Sequence, residues 1–576
     1  MLRKGRCCKV AAAILMHLVV STLTAMVLGL SMGRVDAVVA VASLAAGTTA
    51  AGLVWRRLPG ERRLFNNIGF VTGLFFLFIT LAGLEHFLYL LYYNQNGLYT
   101  LDLNNFGDLS LHIQYIRHIA SGARFWPGDA SYAGTVMRYP IGMDLYNALW
   151  ETLGVPLASH LFLAGLVMTL VTVSLLHRWM GWWGVGAFFL NGGLENWKVL
   201  GTGRLMDLQN TVAWKNFFLS LWVPQRGYLF ALPAGIYVIK TVTDVLLDER
   251  TLSREEKIVC ASLWPALAWF NLHAFFIISL TLGTCILLYR KPGRMLGMVV
   301  PAAVVGLAFS VFSVTGLSRP GALHLKWDWV ANGANFFTFW LVNLGPWLLL
   351  AGWALFSLRK KAFARYRPMA AVFFLLFFVF TWVMVAPWDW DNIKVLFWLY
   401  LMIAWLIWRT SISRLAPAVA LLIGCLVFFP GVVSVISSWP GNANGVRLYK
   451  VSETWEAEAA LKDVPPDAVL ATAPEPNHPA AFWGAEVAMG YPGHLWSHGI
   501  DYAEREWKLD RIFRGEADWR SLARDIGITY IYWGESEKRK YGAFEQPWRH
   551  ELKNVSRTPE IGVYEVASGA GQAAGG

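Results

Sequence analysis

The sequence predicts a polytopic α-helical membrane protein carrying a small C-terminal α/β domain. Three observations lead there. Of 576 residues, 56% are hydrophobic and only 15% charged, with 30 Trp and 35 Phe. The hydrophobic residues fall in runs of roughly 18–22, long enough to cross about 30 Å of hydrocarbon. Past residue 437 the runs stop, and charged residues, turns and short alternating stretches take over.

Candidate spans lie at 10–32, 36–55, 66–92, 156–177, 179–193, 227–247, 258–271, 272–289, 295–316, 336–358, 368–387, 394–409 and 415–437, about thirteen in all. Residues 1–437 thus form a membrane domain. The first run follows a basic segment, as a secretion signal would. It is too long for a signal core and no small-residue cleavage site follows, so it is expected to remain as an anchor.

Lys and Arg collect in particular short loops: Arg3, Lys4, Arg6 and Lys9; Arg56, Arg57, Arg62 and Arg63; Arg290, Lys291 and Arg294; Arg359, Lys360, Lys361, Arg365 and Arg367; Arg409 and Arg414. With these spans all of them share one side, which the positive-inside rule makes cytoplasmic. Residues 94–155, the loop near 317–335, the Trp388–Lys394 turn and the C-terminal domain then lie extracytoplasmically, beyond an inner or plasma membrane.

From residue 438 onward, 15 Lys and Arg stand against 20 Asp and Glu, a balance of −5, so the membrane domain carries +16 against a net of +11. Topology and contact with anionic membrane lipids account for that excess, and no nucleic-acid partner is implied. Cys260, Cys285 and Cys425 lie in apolar runs as small packing residues, and Cys7 and Cys8 sit at a membrane edge where a lipid could attach. No disulfide framework is present.

Residues 438–566 read as the soluble domain and 567–576 as a disordered small-residue tail. Thr454–Lys462, Asp501–Phe513 and Ala517–Ile526 have helical spacing, while Ala468–Ala471, Thr529–Trp533 and Gly562–Val566 read as strands. Residues 94–155 are too long for a turn and carry helical periodicity in Leu109–Ile119. Residues 194–226 form a second segment rich in Trp and Phe. Both suit helices lying in the membrane interface.

The polar residues of these loops are the candidate site. Asp108 and His112, four apart, share one helix face. Asp108 is either a general base, oriented by the histidine, or the cap of the helix beginning at Leu109. Arg138 and Tyr139, with Asp144 just beyond, close the same loop, and Gln225 and Arg226 open a span. Each arginine is a phosphate ligand or an interfacial anchor. In Trp388–Lys394, Asp389 and Asp391 have a spacing that elsewhere binds a divalent cation. The alternative is that Asp391 or Asn392 caps the next helix while the tryptophans sit in the aromatic belt. His273 is a packing residue or faces the same outer cavity. His494, His498 and Asp501 lie in a glycine- and aromatic-rich segment better suited to presenting rings to a substrate than to holding zinc. No P-loop, dinucleotide fingerprint, HExxH or GxSxG element is present.

Taken in order, these motifs resemble the GT-C superfamily of polytopic glycosyltransferases, in particular an uncharacterised bacterial and archaeal branch of it. The matching elements are Gly107-Asp108, Arg138-Tyr139-Pro140, Pro224-Gln225-Arg226, Trp388–Lys394 and Gly493–Tyr502. The likeness covers the chain from about residue 66, leaving the first two spans as an N-terminal extension. It implies a GT-C-like fold in which 94–155 is the catalytic loop. It further implies transfer of a sugar from a polyprenyl-phosphate donor to a lipid, glycan or protein acceptor, with inversion. Asp108 would be the base. His112, Arg138, Tyr139, Gln225, Arg226, Asp391, Asn392 and Lys394 would serve the donor and its phosphate, with Lys394 and the arginines neutralising the leaving group. His494, His498 and Asp501 would lie on the acceptor side. Asp108 lacks the acidic neighbour of metal-dependent relatives, so the resemblance favours a reaction without a metal or other cofactor. The competing readings are a transporter or lipid flippase with an acidic proton or ion relay, and a non-catalytic assembly partner.

Overall fold

The computed structural model describes residues 8–61, 65, 68–209, 214–315, 323–327, 329–331, 333–441 and 444–566. The tail 567–576, Arg3, Lys4, Arg6, Cys7, Arg62 and Arg63 lie outside them, as does part of the 317–335 loop. Among the described residues nine helices are long and apolar enough to cross a membrane, or ten if the bent pair Phe336–Leu344 and Pro346–Ser357 is one span.

That is fewer than the thirteen runs, for local reasons. The runs 156–177 and 179–193 fall in one stretch, Leu157–Phe189, whose backbone is non-helical at Gly181. The pair at 336–357 meets at an angle of 92°. Arg254–Phe270 spends its first turn on Arg254, Glu255, Glu256 and Lys257, with Ser253 and Glu256 forming a capping box, and Leu272–Leu288 has only 17 residues.

The helix Asp108–Ala120 does not lie on the surface as an interfacial helix would. Leu109, Ile113, Ile116 and Ile119 are buried, and so are His112, Gln114 and His118, because the helix is covered on both sides. The bundle, including helix Gly142–Thr152, covers one side, and the C-terminal domain covers the other. The 194–226 segment forms short turns, Leu194–Lys198, Val199–Thr202 and Phe218–Trp222, with 210–213 outside the described residues.

The C-terminal domain is built on a mixed five-stranded sheet ordered Glu486–Val487, Val469–Ala471, Tyr530–Trp533, Gly562–Glu565 and Lys553–Asn554. The first three strands are parallel, and Gly562–Glu565 runs antiparallel to both neighbours. Helices Val451–Leu461, Ala503–Phe513 and Trp519–Asp525 complete the domain, around a core of Leu509, Phe513, Trp533 and Trp548. Residues 446–449 still belong to the membrane side, since Val446–Tyr449 pairs antiparallel with Gly97–Thr100 of the first loop.

The domain docks on that loop as an added strand would. Val487 and Gly490 donate backbone hydrogen bonds to Ala130 and Ser131, and Ala133 donates back to Val487. Arg505 stacks on Tyr132 at 3.8 Å and donates to the carbonyls of Ala133 and Ala488. Gly484 makes the closest approach. With φ 78, it leaves no room for a Cβ, which would sit 2.5 Å from the backbone nitrogen of His118.

Candidate active site

Asp108 opens its helix without capping it. The cap position is Gly107, at φ 86, and no side chain bonds the first turn there. A side-chain-bearing residue in that left-handed region would be strained by about 1–2 kcal/mol. Released from capping, the Asp108 carboxylate accepts a hydrogen bond from Gln225 Nε2 at 2.6 Å, across 117 residues of chain. Its place at the first helical position still suits a negative charge, because the helix N-terminus is positive.

His112 is oriented from behind, and not by Asp108. Its Nδ1 lies 3.0 Å from both carboxylate oxygens of Asp144, a residue on helix Gly142–Thr152. Both side chains are almost fully buried. This pairing sets Nδ1 as the bonded nitrogen and leaves Nε2 for the cavity that His112 lines. Arg226 is deeper still and does not reach the cavity, against the expectation of a phosphate ligand. It is fully buried, donates to the Val223 carbonyl and lies over Phe87. Its Nε and Nη1 have no partner among the described residues.

One cavity of about 640 Å³ gathers Asp108, His112, Arg138, Tyr139, Gln225, Asp391 and Lys394 from the membrane domain, with His494 and His498 from the C-terminal domain. Lys394 and Asp391 pair at 2.6 Å on the first turn of helix Asp389–Thr410. Arg138 donates to the Phe312 carbonyl at 2.7 Å and to Thr315 Oγ1 at 2.9 Å. The Tyr139 ring packs on His498, with centroids 5.0 Å apart, and against His112. His494 lies by Gly107, beside the start of the Asp108 helix.

Asn392 and Asp501 line no part of the cavity. Asn392 holds the preceding turn, accepting from the Val385 and Ala386 nitrogens and donating to the Ala386 and Trp388 carbonyls. Asp501 is exposed and its carboxylate accepts from the Ala503 nitrogen at the start of the next helix. The Asp389 and Asp391 spacing is not a shared ligand pair, because Asp389 bonds Lys326 at 3.0 Å and Asp391 bonds Lys394. Among the described residues no three His, Cys, Asp or Glu side chains converge closely enough to hold a metal.

Asp129 and Tyr132 are among the cavity residues not singled out from sequence. Asp129 is buried and accepts from Ser131 N at 2.9 Å, Ser131 Oγ at 2.7 Å and Tyr115 at 3.2 Å. Its Asp-x-Ser pattern is the local signal of such a turn. Tyr132 and Trp496 also line the wall, and His273 takes its cavity-facing alternative.

Burial raises the Asp108 carboxyl above the ordinary carboxylate range, opposed by Lys394, His112 and the Gln225 hydrogen bond. Burial lowers His498, and pushes His494 down to about 3. The site therefore presents a carboxyl of raised basicity beside the uncharged imidazoles of His494 and His498, which suits proton transfer and hydroxyl recognition.

No family model matches the sequence, and no curated protein matches it either. Among solved structures the chain is similar to the oligosaccharyltransferase of Archaeoglobus fulgidus, crystallised with a tethered acceptor peptide. The identity is 12% and the TM-score 0.41, covering 83% of this chain and 72% of that one.

Proposed function

We propose that the chain is a membrane glycosyltransferase moving a sugar from a polyprenyl-phosphate donor to a lipid, glycan or protein acceptor on the extracytoplasmic face. One observation carries the reading. Polar residues from the first loop, the Gln225 turn, the Asp391–Lys394 turn and the His494–His498 segment open into a single cavity at one end of the helix bundle. A prenyl chain can stay among the spans while its phosphosugar head enters from that end.

Asp108 accepts the proton of the acceptor hydroxyl. The acceptor oxygen bonds to the anomeric carbon, and the bond from that carbon to the phosphate oxygen breaks on the opposite face. The electron pair leaves with polyprenyl phosphate, and the configuration inverts. Arg138 and Lys394 compensate the departing charge, Lys394 exchanging Asp391 for phosphate. His112, fixed by Asp144, hydrogen-bonds the donor, and Tyr139 and Trp496 offer ring faces to the sugar. His494 and His498 serve the acceptor.

Two of the helices that cross bear on sidedness. Asp389–Thr410 runs from the cavity to Arg409, and Arg226–Leu246 runs from beside Gln225 toward Asp248 and Glu249. There Arg409 and Arg365 pair with Glu249, and Lys291 and Arg294 pair with Asp248. The basic loops are thus at the end opposite the cavity, which supports an extracytoplasmic site.

The test is turnover by purified protein in nanodiscs supplied with a panel of polyprenyl-phosphate sugars. Release of free polyprenyl phosphate from at least one donor is expected. A folded sample that releases none from any donor contradicts the reading and favours transport.

A further inference from the structure

A second cleft, of about 190 Å³, lies in the C-terminal domain and shares no lining residue with the cavity above. Glu453, Glu456, Glu535 and Glu560 edge it, and Tyr532 and His478 lie at its floor. His478 is already committed within the fold: Nε2 bonds the buried carboxylate of Glu537 at 2.9 Å, and Nδ1 accepts from the Ala480 nitrogen at 3.2 Å. Tyr532 is not committed in that way. It is 1% exposed, its ring meets His478 edge-on, and its hydroxyl has no hydrogen-bond partner among the described residues. Glu453 and Glu456 are among the carboxylates acting on that hydroxyl.

The acidic rim is only partly neutralised. Lys450 bonds Glu453 and Glu535, and Lys538 donates to the Glu560 backbone carbonyl. The side chains of Glu456 and Glu560 have no ion-pair partner among the described residues, and they repel each other, with Lys538 on the same cleft offsetting only part of that charge. A hydroxyl that no described residue bonds and two carboxylates without an ion-pair partner, lining one cleft, match a cationic donor.

We propose that this cleft binds a primary ammonium group. Its three N–H donors match the carboxylates of Glu456 and Glu560 and the oxygen of Tyr532. A metal ion is a poorer match, since no three acidic or histidine side chains converge on one point here. The ammonium can belong to a free diamine, an amino sugar or a lysine side chain. The proposal stands independently of the catalytic reading.

Full-length protein in nanodiscs is titrated calorimetrically with cadaverine, glucosamine and Nα-acetyl-lysine amide, which separate the three sources, and with tetramethylammonium, which has no N–H. Saturable binding of at least one primary amine is expected, about ten-fold or more weaker in Glu456→Gln and in Tyr532→Phe. Glu560→Gln, on the exposed rim, weakens binding without putting folding at risk. Three results overturn the proposal: no saturable binding of any amine up to about 10 mM, equal affinity in wild type and both glutamine variants, or tetramethylammonium binding as tightly as the amines.

Discussion

Asp108 carries the proposed chemistry, and its surroundings set the pH at which it works. A base must be unprotonated, so activity falls as pH drops through its pKa. Burial places that acid limb above the ordinary carboxylate range, while the Gln225 hydrogen bond holds it down. Replacing Gln225 by Leu removes that bond, so the limb should move to higher pH in a pH–rate profile. Asp144 behaves differently. Asp144→Asn weakens the hold on the buried His112 Nδ1, at a cost of about 1–3 kcal/mol, read as a lower denaturation midpoint in detergent. Sequence spacing marked Asp108, His112, Arg138, Gln225 and Lys394 because each is a polar residue at the edge of an apolar run. It offered Arg226 as a phosphate ligand or an anchor and left Asp144 without a role, since Asp144 meets His112 across 32 residues and only the fold joins them.

Two elements position those side chains. The helix Asp108–Ala120 presents Asp108 and His112 from its first turns, and the 385–392 turn presents Asp391 and Lys394. Asn392 holds that turn through four hydrogen bonds while staying out of the cavity. Asn392→Ala should therefore lower transfer by moving Lys394, with weakened donor binding and a stability loss of about 2–4 kcal/mol, measured by donor titration and denaturation. The periodicity of Leu109–Ile119 was legible as a helix, because its leucines and isoleucines keep the 3.6-residue repeat. Its burial was not legible. Gln114, Arg117 and His118 hydrogen-bond to Ala485, Phe482 and Gly484 of the C-terminal domain, partners more than 360 residues away that no local pattern announces.

The C-terminal domain supplies one wall of the cavity, so its docking should control activity. At Gly484, alanine adds both left-handed strain and a contact with the His118 backbone. Gly484→Ala should expose the domain to limited proteolysis and lower turnover while the membrane helices stay folded. Docking should also depend on pH through Glu486, which lies against Gly128 and whose carboxyl burial pushes up to about 7. A raised carboxyl pKa favours the protonated, docked form, so docking is firmest at low pH and loosens as pH rises through about 7. Proteolysis as a function of pH should show this, and Glu486→Gln should abolish the dependence. Three of the five sheet strands of this domain were legible from alternation and turn residues, while Glu486–Val487 and Lys553–Asn554, two residues each, are too short to show a pattern. Its seat on the first loop was not, because a strand edge joined by backbone hydrogen bonds leaves no side-chain pattern to read.

The most direct test compares wild type with Asp108→Asn in nanodiscs, measuring donor binding and polyprenyl-phosphate release on the same samples. Asparagine keeps the shape and a hydrogen-bonding partner for Gln225 but cannot take a proton. The account predicts retained donor binding with release reduced by on the order of 10²–10⁴. Full release by folded Asp108→Asn would contradict it, and the carboxylate at the mouth of this bundle would then have another purpose.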